Sequence, residues 1–213
     1  MVLRLEAVTF EVGDAAAATE FWAALVPPAD HQVRLRFVPG SAPSSGRELH
    51  LHLTSSDLDD QQRTIDRVLA LGGEHRDVGQ LPEEGHVVMA DPQGTLLCVI
   101  EPANGFLAGC GFLAEVACDG SRAVGQFWSA ALGWPLTWDQ DDETSIQSPT
   151  GGTRLSWGGG PDASKSGRNR QWFALTADDI EAEEARLVSL GATVLDRGWL
   201  ADPDGNELSL TAG

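Results

Sequence analysis

Positive charge is scarce in this chain: 14 Lys and Arg stand against 32 Asp and Glu, a formal net charge of -18. Such a surface repels a phosphate backbone and an anionic membrane alike, so neither nucleic acid nor a membrane is an expected partner. Long apolar runs are missing too. None approaches the roughly 20 residues that span a bilayer, and Met1 to Glu6 carries no apolar signal core, so a cytoplasmic location is expected. Cysteine is sparse: Cys98, Cys110 and Cys118 are an odd number without metal-ligand spacing, which reads as reduced thiols. There is no Gly-rich phosphate loop, no nucleophile elbow and no Cys-His pair at a usable spacing, which sets those chemistries aside.

What is present is one unit written twice. Ala90-Asp91-Pro92-Gln93-Gly94 returns as Ala201-Asp202-Pro203-Asp204-Gly205, Phe21-Trp22 as Phe127-Trp128, and Leu71-Gly72 as Leu190-Gly191. The offsets between copies drift, as insertions in loops make them do. At 213 residues, two compact units are expected, over 1–104 and 109–213, with Pro102 to Gly111 as linker.

Periodicity gives the elements. Leu3 to Val12 reads as a strand, Ala15 to about Val26 as a helix with Phe21 and Trp22 buried, and Val33 to Val38 and Glu48 to Thr54 as strands. Leu49, Leu51 and Leu53 alternate with His50 and His52, so the two faces of that strand differ. Asp57 can cap a helix from about Leu58 to Leu71, stopped by Gly72-Gly73. His86 to Met89 and Thr95 to Ile100 form a hairpin around Asp91-Pro92-Gln93-Gly94, where proline presets the first φ and glycine accepts a positive one. The second half repeats the order, with strand Phe112 to Cys118, helix Ala123 to Leu132, strands near Leu136, Ser145 and Leu155, strand Trp172 to Thr176, helix Ile180 to Leu190 and a last hairpin. Gly158 to Arg170 reads as a mobile loop.

This arrangement, with FWaaL in the first helix, LGa after the second and DPxGN near the end, resembles the vicinal oxygen chelate superfamily of glyoxalases, bleomycin-resistance proteins and extradiol dioxygenases. The resemblance covers nearly the whole chain. It implies an α+β fold of four βαβββ modules forming two glyoxalase-like domains, each a cupped mixed sheet that holds a ligand. It also implies that the two domains pair within one chain or across a homodimer. Members that use a metal hold it with residues on the first and last strands of each module. Counting from the Phe-Trp pairs, the capping Asp57 and Asp179, and the two Asp-Pro turns places Ala7, His50, Cys98, Leu113, Trp172 and Ser209 there. Only His50 matches the usual ligands, so no cofactor is expected and a divalent metal would need an atypical site.

Candidates follow from the strand alternation. His50 and His52 should point into a cup, as ligands, as a general base or as polar lining, with Glu11, Thr9 and Cys98 as neighbours to consider. Glu115 lies among apolar residues on its strand, either as a general base or paired with Arg154. Trp138, Trp157 and Trp172 fall on strands whose one face would line a cup and suggest a flat aromatic or heteroaromatic ligand. Trp22 and Trp128 read as core. The function expected is small-molecule binding without the usual metal set. The alternative is a lyase, isomerase or dioxygenase working through His50 or Glu115.

Overall fold

The computed structural model describes residues 3–41, 48–81, 83–159 and 165–213. The first half contains β1 (Arg4–Val12), α1 (Ala15–Leu25), β2 (Leu35–Pro39), β3 (Leu49–Leu53), α2 (Leu58–Ala70), β4 (Glu74–His75), β5 (Val87–Ala90) and β6 (Leu96–Val99). The second contains β7 (Leu113–Gly120), α3 (Arg122–Leu132), β8 (Leu136–Gln140), β9 (Glu143–Gln147), β10 (Arg154–Gly159), β11 (Gln171–Ala177), α4 (Ile180–Leu190), β12 (Thr193–Asp196), β13 (Trp199–Ala201) and β14 (Glu207–Ala212). Modules beginning at β3, β7 and β11 have the full βαβββ order. Among the described residues, the one beginning at β1 has two strands.

Local chemistry sets the ends of the helices. Asp14, Asp57 and Asp179 cap α1, α2 and α4 by accepting from the backbone N–H groups of Ala17, Asp60 and Ala182. Gly133 and Gly191 take the left-handed conformation that closes α3 and α4. The repeated sequence motifs meet in space. The Trp22 indole N–H donates to Asp91 Oδ2 at 2.8 Å, and that of Trp128 to Asp202 Oδ2 at 3.3 Å. In each turn the other carboxylate oxygen accepts backbone N–H groups, from Gln93 and Thr95 in one copy and from Asp204 and Asn206 in the other. The Asp of each Asp-Pro turn therefore ties a hairpin to a helix of an earlier module, about 70 residues back in sequence.

The strands form two sheets, one ordered β12-β13-β14-β11-β1-β2 and the other β4-β5-β6-β3-β7-β10-β9-β8. Each sheet takes strands from both halves of the chain. β1 pairs antiparallel with β11, and β3 antiparallel with β7. The expectation that each half curls into its own cup is thus corrected: the first module pairs with the fourth and the second with the third. An edge strand left by one module is covered by the matching edge of a module from the other half.

Helices cover one face of each sheet, and the buried apolar residues of that layer join into one core, from Val8 and Phe10 to Leu208 and Leu210. Trp128 and Trp157 stack there with centroids 6.3 Å apart and an interplanar angle of 5°. Gly125 on α3 lets this layer close, since a Cβ there would lie 1.8 Å from Thr144 Oγ1. The linker is not a bare tether. Leu107 and Cys110, 3% and 2% exposed, pack with Val88, Cys98, Ile100 and Ala114 in a small second core on the other face of the larger sheet. Of the stretch read as a mobile loop, 160–164 lie outside the described residues. Lys165, Arg168 and Arg170 form ion pairs with Glu207, Glu11 and Glu48.

Candidate functional site

Strand register places three side chains at matching positions in the two cups. In the larger sheet, His52 on β3 pairs with Cys98 on β6 to one side and with Glu115 on β7 to the other. In the smaller sheet, Ala174 on β11 pairs with Ser209 on β14 and with Ala7 on β1. Counting along the sequence had put His50, Trp172 and Leu113 at these places. The register substitutes His52, Ala174 and Glu115, each two residues further on. Leu113 belongs to the helix-side core at 1% exposure, because the pairing of β3 with β7 skips Ala114 and turns Glu115 into the cup.

The polar row of the large-sheet cup is hydrogen-bonded from His52 to Ser156. His52 Nδ1 and Glu115 Oε2 lie 2.6 Å apart, the Ser156 hydroxyl donates to Glu115 Oε1, and Cys98 stands beside His52 in strand register. Both oxygens of Glu115 are thereby engaged, and its residue is 4% exposed. Burial alone would lower the pKa of His52, but its neighbours Cys98 and Glu115, the carboxylate hydrogen-bonded to the ring, outweigh it and push it up to about 10. His50 differs: burial lowers its pKa against the opposing pull of Asp119, so its ring is neutral at pH 7. A cavity of about 290 Å³ opens beside the row, lined by His50, Glu115, Ser156, Asp119, Trp138 and Phe106. Arg154 does not pair with Glu115. Its guanidinium lies over the Phe106 ring, 5.0 Å from the centroid, and donates to the Phe106 carbonyl.

The small-sheet cup is built for surface rather than for proton transfer. Its cavity, about 780 Å³, is lined by Thr9, Arg36, Val38, Trp172, Trp199 and Ser209 among others. The Trp172 and Trp199 rings meet edge-on, with centroids 5.3 Å apart at 60°. Arg168 lies over Trp172 and forms an ion pair with Glu11. Thr9 is 1% exposed, and its hydroxyl has no hydrogen-bond partner.

The candidate residues therefore divide between the cups. His50, His52, Glu115 and Trp138 share the large-sheet cup, whereas Glu11, Thr9 and Trp172 belong to the small-sheet one. A set of His50, His52 and Glu11 is not assembled, because β1 and β3 lie in different sheets. Trp157 stacks on Trp128 in the helix-side core and also borders the large-sheet cavity. The Cys-His pairing that linear spacing discouraged is made by the sheet, through parallel pairing of β3 with β6. Ser156, Trp199 and Phe106 had not been singled out. Only Ser156 carried a usable signal, alternating with Leu155 and Trp157 on β10.

The residues at these positions do not fit a chelated metal. The small-sheet triplet offers one hydroxyl. In the large sheet the donors form a line across three strands, with His52 between Cys98 and Glu115 and hydrogen-bonded to the carboxylate. Among the described residues no group of three or more His, Cys, Asp or Glu side chains could hold a metal ion.

Paired βαβββ modules around two cups define a protein of the vicinal oxygen chelate class. The chain belongs to the glyoxalase-like domain family, whose profile matches it twice, over residues 7–100 and 114–211. Among solved structures it is similar to glyoxalase I from Zea mays at 15% identity and a TM-score of 0.64, covering 99% of this chain and 92% of that one. It is also similar to a putative dioxygenase from Bacillus subtilis at 12% identity and a TM-score of 0.59, covering 98% and 84%. At these identities the likeness establishes the fold. No curated protein matches the sequence. No helix among the described residues is long and apolar enough to cross a membrane.

Proposed function

We propose that the chain binds a flat aromatic or heteroaromatic molecule in the small-sheet cup without a metal. The observation that carries this is the buried, unpartnered Thr9 hydroxyl in a cavity of about 780 Å³ that Trp172 and Trp199 also line. That volume suits a drug-sized ligand, and few polar groups in an aromatic lining are what such sites use for orientation. A buried hydroxyl without a protein partner leaves a hydrogen bond for a ligand atom in this cavity to make. Ala7 and Ala174 leave this cup without an acid or a base at its matching positions, which favours binding over turnover. This reading compares with the drug-sequestering members that the sequence resemblance implies. Titration of chelator-treated protein with a panel of planar aromatics should quench tryptophan emission, and Trp172→Leu should abolish most of the quench. Flat titrations across the panel, or binding that requires an added divalent ion, would count against it.

A lyase, isomerase or dioxygenase working through His50 or Glu115 is the second reading, favoured by the neutral His50 beside the large-sheet cavity. Turnover lost in His50→Ala while the aromatic quench persists would select it.

A further inference from the structure

We propose that the small-sheet cup takes a planar aromatic carboxylate, its ring against Trp172 and its acid held by the Thr9 hydroxyl and the Arg36 guanidinium, a refinement that rests on the aromatic binding proposed above. Strand register supplies the placement. Thr9 on β1 pairs with Trp172 on β11 to one side and with Arg36 on β2 to the other, so indole, hydroxyl and guanidinium form one cross-strand row. All three line the cavity of about 780 Å³. Neighbouring strands stand about 4.8 Å apart, which makes the row about 10 Å wide, a span that a two-ring aromatic acid laid along it can cover. Thr9 is 1% exposed and its hydroxyl has no partner, so the centre of the row offers a hydrogen bond that the protein does not use.

The donors beside the indole decide the class of ligand. Arg36 gives one N–H to Glu6, with both side chains about a third exposed, whereas a guanidinium carries five such donors in a planar fork that matches a carboxylate. A carboxylate is also the group that continues the plane of an aromatic ring and brings two acceptor oxygens, one for the hydroxyl and one for the fork. On a chain of net charge -18 its single charge meets less repulsion than a phosphate would. Glu11, two residues from Thr9 on the same face of β1, is neutralised by Arg168. Glu181 and Glu184 reach the cavity from α4, and Arg197 from the turn between β12 and β13 at the opposite edge of the sheet from β2. The acid therefore belongs at the β1–β2 side.

Calorimetric titration of the chelator-treated full chain with 2-naphthoate, 2-naphthamide and protonated 2-naphthylmethylamine tests this. The acid should bind about tenfold tighter than the amide, the worth of one hydrogen bond to a charged group, and the amine should bind weakest. Raising the salt from about 0.05 M to about 0.5 M should weaken the acid and leave the amide unchanged. Arg36→Gln should erase the preference for the acid without altering the amide, a split that a merely structural arginine would not produce. Glu6→Gln, which releases the whole fork, should tighten the acid by about threefold, the worth of an exposed ion pair that no longer competes. Acid and amide binding alike in the wild type would overturn the carboxylate assignment and leave aromatic binding standing; no binding by any of the three would overturn both. Preference for the amine would give recognition to Glu181 and Glu184 and overturn it, as would a preference for the acid that Arg197→Gln erases and Arg36→Gln does not. Should circular dichroism show Arg36→Gln unfolded, the wild-type ratio and the direction of the Glu6→Gln change decide.

Discussion

The two cups share a scaffold and differ in their contents. Each is organised around an antiparallel pair of module-opening strands, β1 with β11 or β3 with β7, and the same Trp-to-Asp hydrogen bond occurs once in each half of the chain. At the three matching positions the larger sheet holds Glu115, His52 and Cys98, and the smaller holds Ala7, Ala174 and Ser209. What recurs holds the fold together, and what differs is chemistry. A protein made this way can dedicate one concavity to shape and the other to reactivity.

The sharpest test of that difference is to delete the polar centre of each cup. Glu115→Ala should lower stability by about 3 kcal/mol, since it strands a largely buried cationic imidazole without its counter-charge. Ser209→Ala, at a matching position across the molecule, should stay within about 0.5 kcal/mol, as most substitutions without a partner to lose do. Urea midpoints read at constant slope measure both. Equal losses would mean that the row is no more structural than the hydroxyl.

The next test is titration, where the cups should part again. The folded-state pKa of His52 is raised from 6.5 to about 10. Its contribution to stability is therefore fully present below pH 6.5 and is lost as pH climbs through about 10, because the folded state keeps a proton that the unfolded chain releases. Stability should fall between pH 7 and pH 10 in the wild type, and His52→Gln should flatten that fall. Ala7, Ala174 and Ser209 add no titratable group, so no slope should arise from these three matching positions of the smaller sheet. A mutant profile parallel to the wild type would remove His52 as its source.

Sequence revealed the scaffold better than the site, and for a physical reason. The Asp-Pro turns, the Phe-Trp pairs and the capping aspartates act within a few residues of themselves, so their spacing discloses them. The alternation of His50 and His52 with leucines likewise placed both rings in a cup before any partner was known. Which cup, and beside what, depends on non-local pairing. Cys98 and His52 are neighbours because two parallel strands lie side by side, and Glu115 joins them only because the register skips Ala114. Trp157 serves both sides of its strand's position: it packs in the helix-side core and borders the large-sheet cavity, while Ser156 beside it meets Glu115. Interleaving of the halves was invisible, since either pairing of modules buries the same apolar residues.

The smallest expected effect is the most discriminating, because it should change sign between the cups. Thr9 and Ser156 both present a hydroxyl to a concave face, but Ser156 donates to Glu115 and Thr9 has no partner. Removing the Ser156 hydroxyl with alanine takes a donor from a buried carboxylate, which should cost about 1–2 kcal/mol. Thr9→Val keeps the shape and removes a buried group that nothing satisfies, so stability should hold or rise by up to about 1 kcal/mol. If Thr9 serves a ligand, the same substitution should weaken aromatic binding by roughly threefold to tenfold, the worth of one hydrogen bond. A Thr9→Val protein that is both less stable and equally able to bind would show that this hydroxyl belongs to the scaffold, and with it the distinction between a binding cup and a structural one would fall.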